Sequence, residues 1–269
     1  MAPPTLILGC GYLGSRVAAL WQAERRRVVA LTRGRAAALT ALGLEPLVGD
    51  VLDPASLRLP EATTVLYAVG LDRSAGRSMR DVYVTGLRNV LSALPRSGRF
   101  LYVSSTSVYG QTDGSLVDET SPTEPLEESG RIVLEAEDVL RQLRPDAVVL
   151  RFAGIYGPGR VLRREALLNG EPLVGDAEKW LNLIHVEDGA RAVLAAEGRE
   201  GETYLIADDT PVRRREFYTH VARVIGAPPA RFEPREVREP NRRISNRRAK
   251  TDLGWAPRFP SYIEGLTSG

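Results

Sequence analysis

Short apolar runs alternate along the chain with longer segments whose apolar residues recur at helical spacing. The first such segment reads TLILGCGYLGSRVAALWQAERRRVVALTRG, with apolar runs at 6–8 and 28–31. Between them, apolar side chains at Leu13, Val17 and Leu20 follow a helical period. Strand, turn, helix and strand in this order predict a βαβ unit, in which the two strands pair in parallel.

The same alternation continues to about residue 157. Apolar strand patterns occur in PLVGDVLD, TTVLYAVG, RFLYVSS and AVVLRFAGIYG, and helical patterns in DVYVTGLRNVLSAL and GRIVLEAEDVLRQL. Strands that alternate with helices are typical of α/β proteins. The pattern therefore predicts a Rossmann-like, doubly wound parallel sheet.

The alternation loosens after residue 157. GPGRVLRREALLNGEPLVG predicts a loop and a helix, NLIHVEDGARAVLAAEG opens another helix, and ETYLIADD predicts a strand. PVRRREFYTHVARVIG predicts a helix that starts at its proline, and a basic tail follows. We expect residues 1–160 to form the core, and 161–269 to complete it and form a small C-terminal lobe.

Composition excludes several classes of protein. The chain has 36 basic and 34 acidic residues and a formal charge of +2, which gives no overall attraction to nucleic acid or to anionic membranes. A single cysteine cannot form an internal disulfide, and no apolar run is long enough to span a membrane. We therefore expect a cytoplasmic protein. Two histidines in unrelated segments predict no metal site.

Three glycines follow the first strand in the pattern G-x-G-x-x-G. Gly9 permits a tight turn, Gly11 lets a pyrophosphate approach the backbone, and Gly14 lets the next helix pack on the strand. Tyr12 and Leu13 lie inside this turn, at the start of a helix whose N-terminus attracts phosphates. The placement predicts a dinucleotide site, and the alternative is a glycine turn without a ligand.

The end of the second strand bears on the choice of cofactor. NAD-specific sites carry an acid about 20 residues after the first glycine, but none lies between Glu24 and Glu45. The strand ends instead with Thr32 and Arg33. A guanidinium binds a 2′-phosphate better than a 2′-hydroxyl, so NADP is favoured over NAD. The alternative is that Arg33 is an ordinary surface residue.

Five segments occur in the order typical of a known family: the glycine turn, VGDVLDP, YAVG, VSSTSVYG and RFAGIYGPGR. Together with NLIHVEDGA, they make the chain resemble the extended short-chain dehydrogenases/reductases, the NAD-dependent epimerase/dehydratase family. Its short, atypical branch is the part that the chain resembles. The resemblance implies an NAD(P)-binding core over 1–160 and a substrate lobe within 161–269.

The resemblance also implies roles for individual residues. Asp50 and Val51 would contact the adenine, and Ala68 and Val69 would line the nucleotide cleft. Ser104 and Ser105 would lie beside the nicotinamide, with Ser105 at the catalytic serine position, and the loop that contains Ile155 would flank the nicotinamide and the substrate.

One expected motif is missing. The family places a tyrosine, which moves the proton, four residues before a lysine, which lowers the pKa of the tyrosine and holds the nicotinamide ribose. Aligning GRIVLEAED through Glu135 places Glu127 at the tyrosine and Arg131 at the lysine. Glu127 is either a relocated base or an ordinary first-turn glutamate. Further candidates for the proton donor are Tyr83, Tyr109 and His185, and the alternative for Tyr109 and His185 is a structural role.

We therefore expect an NADP-binding oxidoreductase or epimerase-like enzyme, with NAD as the alternative cofactor. The competing hypothesis is a non-catalytic sensor or partner-binding module that keeps the dinucleotide site. The substrate is a small molecule, and four tail arginines either bind its anionic group or form a solvated surface: Arg242, Arg243, Arg247 and Arg248.

Overall fold

A parallel sheet of seven strands forms the centre of the computed structural model, which describes residues 2–95 and 98–267. In chain order the strands are β1 (Thr5–Leu8), β2 (Val28–Thr32), β3 (Glu45–Val48), β4 (Thr64–Tyr67), β5 (Arg99–Ser105), β6 (Val148–Phe152) and β7 (Thr203–Ile206). Their order across the sheet is β3-β2-β1-β4-β5-β6-β7. The predicted Rossmann-like sheet is thus confirmed.

Helices cover both faces of the sheet, and others pack in a smaller lobe. They are α1 (Gly14–Ala23), α2 (Ala36–Ala41), α3 (Gly86–Ala93), α4 (Glu128–Leu143), α5 (Arg164–Leu168), α6 (Val186–Ala195), α7 (Arg214–Val224), α8 (Arg247–Leu253) and α9 (Tyr262–Thr267). Single 3₁₀ turns occur at Pro54–Ser56, Arg73–Ala75, Thr106–Val108 and Ala196–Gly198, and a π-helical turn at Asp81–Thr85 leads into α3. Over residues 2–95 and 98–267, none of the helices combines the length and apolar character that a membrane crossing needs.

The core lies on both sides of the sheet because neighbouring strand residues point to opposite faces. Ile7 packs in a cluster with side chains of α1 and α6, whereas Leu6 and Leu8 pack on the other face with side chains of α3 and α4. On the first face, the buried indole of Trp21 donates a hydrogen bond of 2.6 Å to Glu197. The main sheet is therefore anchored on both faces, and its strand ends are held at fixed positions.

A smaller lobe stands beside the carboxyl ends of the strands. Four two-stranded pairs build it: 154–156 with 183–185, 116–117 with 243–244, 173–174 with 232–233, and 180–181 with 212–213. Phe217 and Leu183 lie in its own buried cluster. This lobe supplies a wall opposite the main sheet.

Two local expectations differ from the structure. AVVLRFAGIYG contains β6 and a separate short strand, Gly154–Tyr156, which pairs outside the main sheet with Leu183–His185. The helix predicted to start at Pro211 starts at Arg214, because Val212–Arg213 forms a short strand paired with 180–181. The division of the chain at residue 160 remains a prediction, although β7 in the later segment does join the main sheet.

Candidate functional site

A cleft of about 840 Å³ opens at the carboxyl ends of β1, β2, β4, β5 and β6. The direction of winding reverses at β1, which has β2 on one side and β4 on the other. Loops after neighbouring strands diverge at such a reversal, and open parallel sheets bind their ligands in the space that results.

Most of the predicted site residues line this one cleft. They are Gly9, Gly11, Tyr12, Leu13, Thr32, Arg33, Asp50, Val51, Ala68, Val69, Ser104, Ser105 and Ile155. Gly14, Glu127 and Arg131 are not part of the lining. The fold therefore brings the cofactor candidates together, while their contacts with a cofactor remain predictions.

The glycine turn fits the approach of a phosphate group. Gly9 has a φ of +97°, and a Cβ there would lie 2.3 Å from the carbonyl oxygen of Ala68. A Cβ on Gly14 would lie 2.4 Å from the carbonyl oxygen of Gly9, which accounts for its packing role. A Cβ on Gly11, in contrast, would meet no protein atom within 4 Å. The protein leaves open the space in front of Gly11, where a pyrophosphate would lie.

Helix α1 directs its N-terminus towards that space. No side chain caps this end, and the first turn carries no acidic residue. The positive end of the helix dipole is therefore available to an anion. Tyr12 donates a hydrogen bond of 3.0 Å to the carbonyl of Pro158, which joins the glycine turn to the loop after Gly154–Tyr156.

Two arginines lie at the end of the cleft beside β2. Arg33 forms an exposed ion pair of 2.9 Å with Asp72, and Arg35 donates a hydrogen bond of 2.9 Å to the carbonyl of Cys10. The hydroxyl of Thr32 accepts from the backbone N–H groups of Gly34 and Arg35, which fixes this turn. Both guanidiniums line the cleft, so a 2′-phosphate there would meet two positive charges.

Asp50 and Val51 lie in the loop after β3. One carboxylate oxygen of Asp50 accepts a hydrogen bond of 2.9 Å from the backbone N–H of Leu52, and the hydroxyl of Ser56 donates to the Asp50 carbonyl. This loop forms the cleft wall next to the end of β2. The placement agrees with the adenine role that the resemblance implies, which remains untested.

The other end of the cleft holds two serines that follow β5. The hydroxyl of Ser105 accepts a hydrogen bond of 3.1 Å from the backbone N–H of Ser107. Because this bond uses the oxygen only as an acceptor, the Ser105 hydroxyl can still donate to a substrate oxygen. Ser104 points to the protein interior and donates a bond of 2.5 Å to Glu137.

Behind Ser104 lies a buried charged network. Glu137 forms an ion pair with Arg151 through bonds of 2.7 and 3.0 Å, and Arg151 also donates to the hydroxyl of Tyr109 at 2.7 Å. Burial raises the pKa of Tyr109, although the charge of Arg151 opposes this shift. Tyr109 is fully buried and does not line the cleft, so it serves this network and not the substrate.

The structure changes the alignment of the helix after VSSTSVYG. Val133 of α4 is buried and lines the cleft with Ser104 and Ser105. Arg131, about 200° away around the helix, is exposed and donates to the carbonyl of Leu126 at 2.9 Å. The residue of this turn that faces the cleft is therefore Val133, and the residue four places earlier is Ser129.

Glu127 and Arg131 thus gain no geometric support. Glu127 is the exposed residue that precedes α4, outside the cleft lining, and its catalytic role remains a prediction. The alignment of this helix rested on Glu135, which forms an exposed ion pair with Arg80. Glu137, two residues later, is the glutamate that the fold buries.

Two other proton donor candidates can now be compared. Tyr83 lines the cleft, and its hydroxyl accepts a hydrogen bond of 3.3 Å from the backbone N–H of Leu71. The Nδ1 atom of buried His185 accepts from the N–H of Glu187, which caps α6. Burial also lowers the pKa of His185. Of the two, only Tyr83 faces the cleft.

Several residues that line the cleft escaped the sequence analysis: Asp72, Arg77, Val133 and Arg160. Arg160 lies over the ring of Tyr12, with 5.3 Å between its Cζ atom and the ring centroid. The conspicuous RFAGIYGPGR segment contains Arg160, so its sequence signal was present. Within the described ranges, no cluster of three or more potential metal ligands occurs.

Sequence comparison places these features in a family. The model of the NAD-dependent epimerase/dehydratase family matches residues 5–207. The chain belongs to this family. The seven-stranded sheet, the glycine turn and Ser105 all lie in the matched region.

Individual relatives differ in activity. Protein YeeZ of Escherichia coli is 36% identical over 171 residues, or 62% of this chain and 61% of YeeZ. The 3-diazoavenalumate denitrifying reductase of a Streptomyces species is 32% identical over 155 residues, 51% of each chain. This chain thus spans less than two thirds of either relative. The solved structure of MoeE5 with UDP-glucose and NAD is 25% identical with a TM-score of 0.78, and the match covers 98% of this chain and 96% of MoeE5.

Proposed function

We propose that the protein binds NADP(H) in the cleft and acts as an oxidoreductase on a small carbonyl or hydroxyl compound. The observation that carries this proposal is that the glycine turn and Ser105 line the same cleft. One cleft of about 840 Å³ has the phosphate-binding turn and the two arginines beside it, with Ser105 at the other end. An extended dinucleotide has its phosphates and its reactive ring separated in the same way.

The residues present fit the cofactor. The backbone around Gly11 and the N-terminus of α1 would hold the pyrophosphate, while Arg33 and Arg35 would hold the 2′-phosphate. When bound, the cofactor supplies hydride chemistry. The Ser105 hydroxyl would donate to the reacting substrate oxygen and so orient the carbonyl beside the nicotinamide.

The protein differs from its family in proton transfer. Ser129 and Val133 stand where the family's tyrosine and lysine are expected, and neither has a pKa that can be tuned to the working pH. An apolar Val133 gives the ribose no hydrogen bond. We therefore infer a reductase whose substrate takes its proton from water or from Tyr83, rather than an epimerase that must move the same proton in both directions.

The second candidate is a non-catalytic dinucleotide-binding module. Val133 favours it, because a valine in the cleft wall leaves the site without the residue that normally activates the acid. Both proposals predict NADPH binding, and they differ only in turnover.

The proposal is tested by incubating the purified protein with NADPH and a panel of carbonyl compounds while the absorbance of NADPH is monitored. We expect NADPH oxidation with at least one compound. Ser105→Ala should lower turnover by about 10²-fold or more if the hydroxyl acts in the transition state. Ser92→Ala, on the outer helix α3, should retain the wild-type rate.

A restored variant separates the two candidates. Ser129→Tyr combined with Val133→Lys returns the family's pair to this helix, with the lysine at the position that lines the cleft with Ser105. Faster turnover in this variant than in a catalytic wild type would support the oxidoreductase proposal. The non-catalytic module would be supported if the wild type binds NADPH but oxidises it with none of the compounds, while the restored variant is active.

A further inference from the structure

The guanidinium of Arg242 contacts the backbone directly after Ser105, although neither Arg242 nor Thr106 belongs to the cleft lining. Arg242 donates a hydrogen bond of 2.5 Å to the backbone carbonyl of Thr106, the residue directly after Ser105. The chain around Arg242 is fixed, since 243–244 pairs with 116–117 and the Arg242 carbonyl accepts from the side chain of Asn182 at 2.9 Å. Asn182 in turn accepts through its own carbonyl from Gly154, which lines the cleft.

The positive charge of Arg242 is not compensated. Across the described residues, no carboxylate oxygen lies within 4.0 Å of this guanidinium. Its Nε atom is buried and has no hydrogen-bond partner. The charge of exposed Glu127 acts on Arg242 from farther away, but burial dominates and lowers the Arg242 pKa to about 10. A half-buried cation with one backbone contact destabilises the protein unless an anionic group pairs with its charge.

Neighbouring arginines of the tail differ from Arg242 in exposure or in their partners. Arg243 is exposed, lies over the ring of Trp180 and donates to the carbonyl of Gly114. Arg248 is paired with both Glu202 and Asp252. Within the described residues Arg243 also has no carboxylate within 4.0 Å, but its guanidinium is exposed, whereas the Nε atom of Arg242 is buried without a partner.

We propose that Arg242 recognises the substrate through a small oxyanion group, a carboxylate or a phosphate, held next to Ser105. A guanidinium fork matches the two oxygens of such a group and forms charge-assisted hydrogen bonds with them. This inference rests on the proposed function, because it assigns the substrate class of the same site. Arg242 would thus determine substrate specificity, whereas Arg33 and Arg35 near β2 would bind the cofactor.

The test uses nuclear magnetic resonance of the full-length protein labelled with ¹⁵N-arginine and saturated with NADP⁺. Loss of one Nε–H signal in the Arg242→Lys variant assigns that signal to Arg242. Acetate, inorganic phosphate and neutral acetamide are then titrated at constant ionic strength. We expect a saturable shift of the Arg242 signal with acetate or with phosphate, and the more tightly bound anion identifies the oxyanion.

Matched variants complete the experiment. In calorimetric titrations, Arg242→Gln should raise the dissociation constant of that anion at least about tenfold, and Arg243→Gln should leave it unchanged. The proposal is overturned if the Arg242 signal does not move, if acetamide moves it equally, or if both variants bind the anion like wild type. NADPH affinity, measured on the same samples, tests the proposed function separately. A wild type that does not bind NADPH would refute cofactor binding, and the anion titration would then be carried out on the free protein.

Discussion

Replacement of Glu137 by leucine should destabilise the protein strongly. Glu137 is fully buried, and it holds Arg151 and Ser104 through bonds of 2.5 to 3.0 Å. Burial lowers the pKa of Arg151 and Glu137 raises it. Without Glu137 the guanidinium still stays charged, because arginine is not deprotonated in proteins, and a buried charge is then left without its partner. Removing one member of a buried ion pair typically costs ~3–5 kcal/mol.

The size of this effect can be measured by thermal unfolding. For a chain of this length each kcal/mol shifts the melting temperature by roughly 2–4 °C, so Glu137→Leu should lower it by about 6–20 °C. The matched control is Glu135→Leu on the same helix, whose ion pair with Arg80 is exposed. We expect the control to melt at the wild-type temperature, because exposed pairs contribute little.

A double variant tests the cause of the loss. Arg151→Met added to Glu137→Leu removes the unpaired charge and should recover most of the stability, since apolar replacements of buried ion pairs are often neutral. A Glu137→Leu variant that melts within about 2 °C of wild type would refute the reasoning. So would a double variant that is less stable than both single variants.

Two further predictions concern charge and cofactor access. Burial raises the pKa of Asp208 from 3.8 to about 8, so the folded protein keeps a proton that the unfolded chain loses, and stability should fall as the pH rises through this window. Asp208→Asn should therefore melt higher than wild type at pH 8 but not at pH 4, and a difference that does not vary with pH would contradict this. Gly11→Leu should weaken NADPH binding without lowering the melting temperature, because its side chain enters only the cleft. Gly198→Leu, at another unobstructed glycine, is the control, and unchanged NADPH affinity in Gly11→Leu would exclude the phosphate site.

Local sequence patterns were sufficient for the sheet. The apolar runs at 6–8 and 28–31 are short, continuous and separated by a helical segment, and each became a buried strand. The glycine spacing likewise predicted that backbone segments approach each other closely. The structure shows such an approach, since a Cβ on Gly14 would lie 2.4 Å from the carbonyl oxygen of Gly9. Both features depend on residues that are near one another in the chain.

The register of α4 depends on distant residues and could not be derived in the same way. Glu135 and Glu137 lie about 200° apart on the helix, and the apolar face contains Glu137. A carboxylate is unexpected on that face, and its partner there is Arg151 on β6, which is distant in the sequence. The position of Arg242 also depends on a distant pairing, that of 243–244 with 116–117. Sequence alone therefore identified the arginines of the tail but not the one that contacts the backbone of Thr106.

The most direct test of the central claim is calorimetric titration of the wild-type protein with NADPH and with NADH. Arg33 and Arg35 line the cleft beside β2, and a charge-assisted bond to the 2′-phosphate contributes ~1.5–3 kcal/mol, which corresponds to roughly ten- to a hundredfold in affinity. We predict that NADPH binds at least about tenfold more tightly, that Arg33→Ala removes most of the difference, and that Arg27→Ala, at the far end of β2, preserves it. Equal affinities for NADPH and NADH in the wild type would contradict the account.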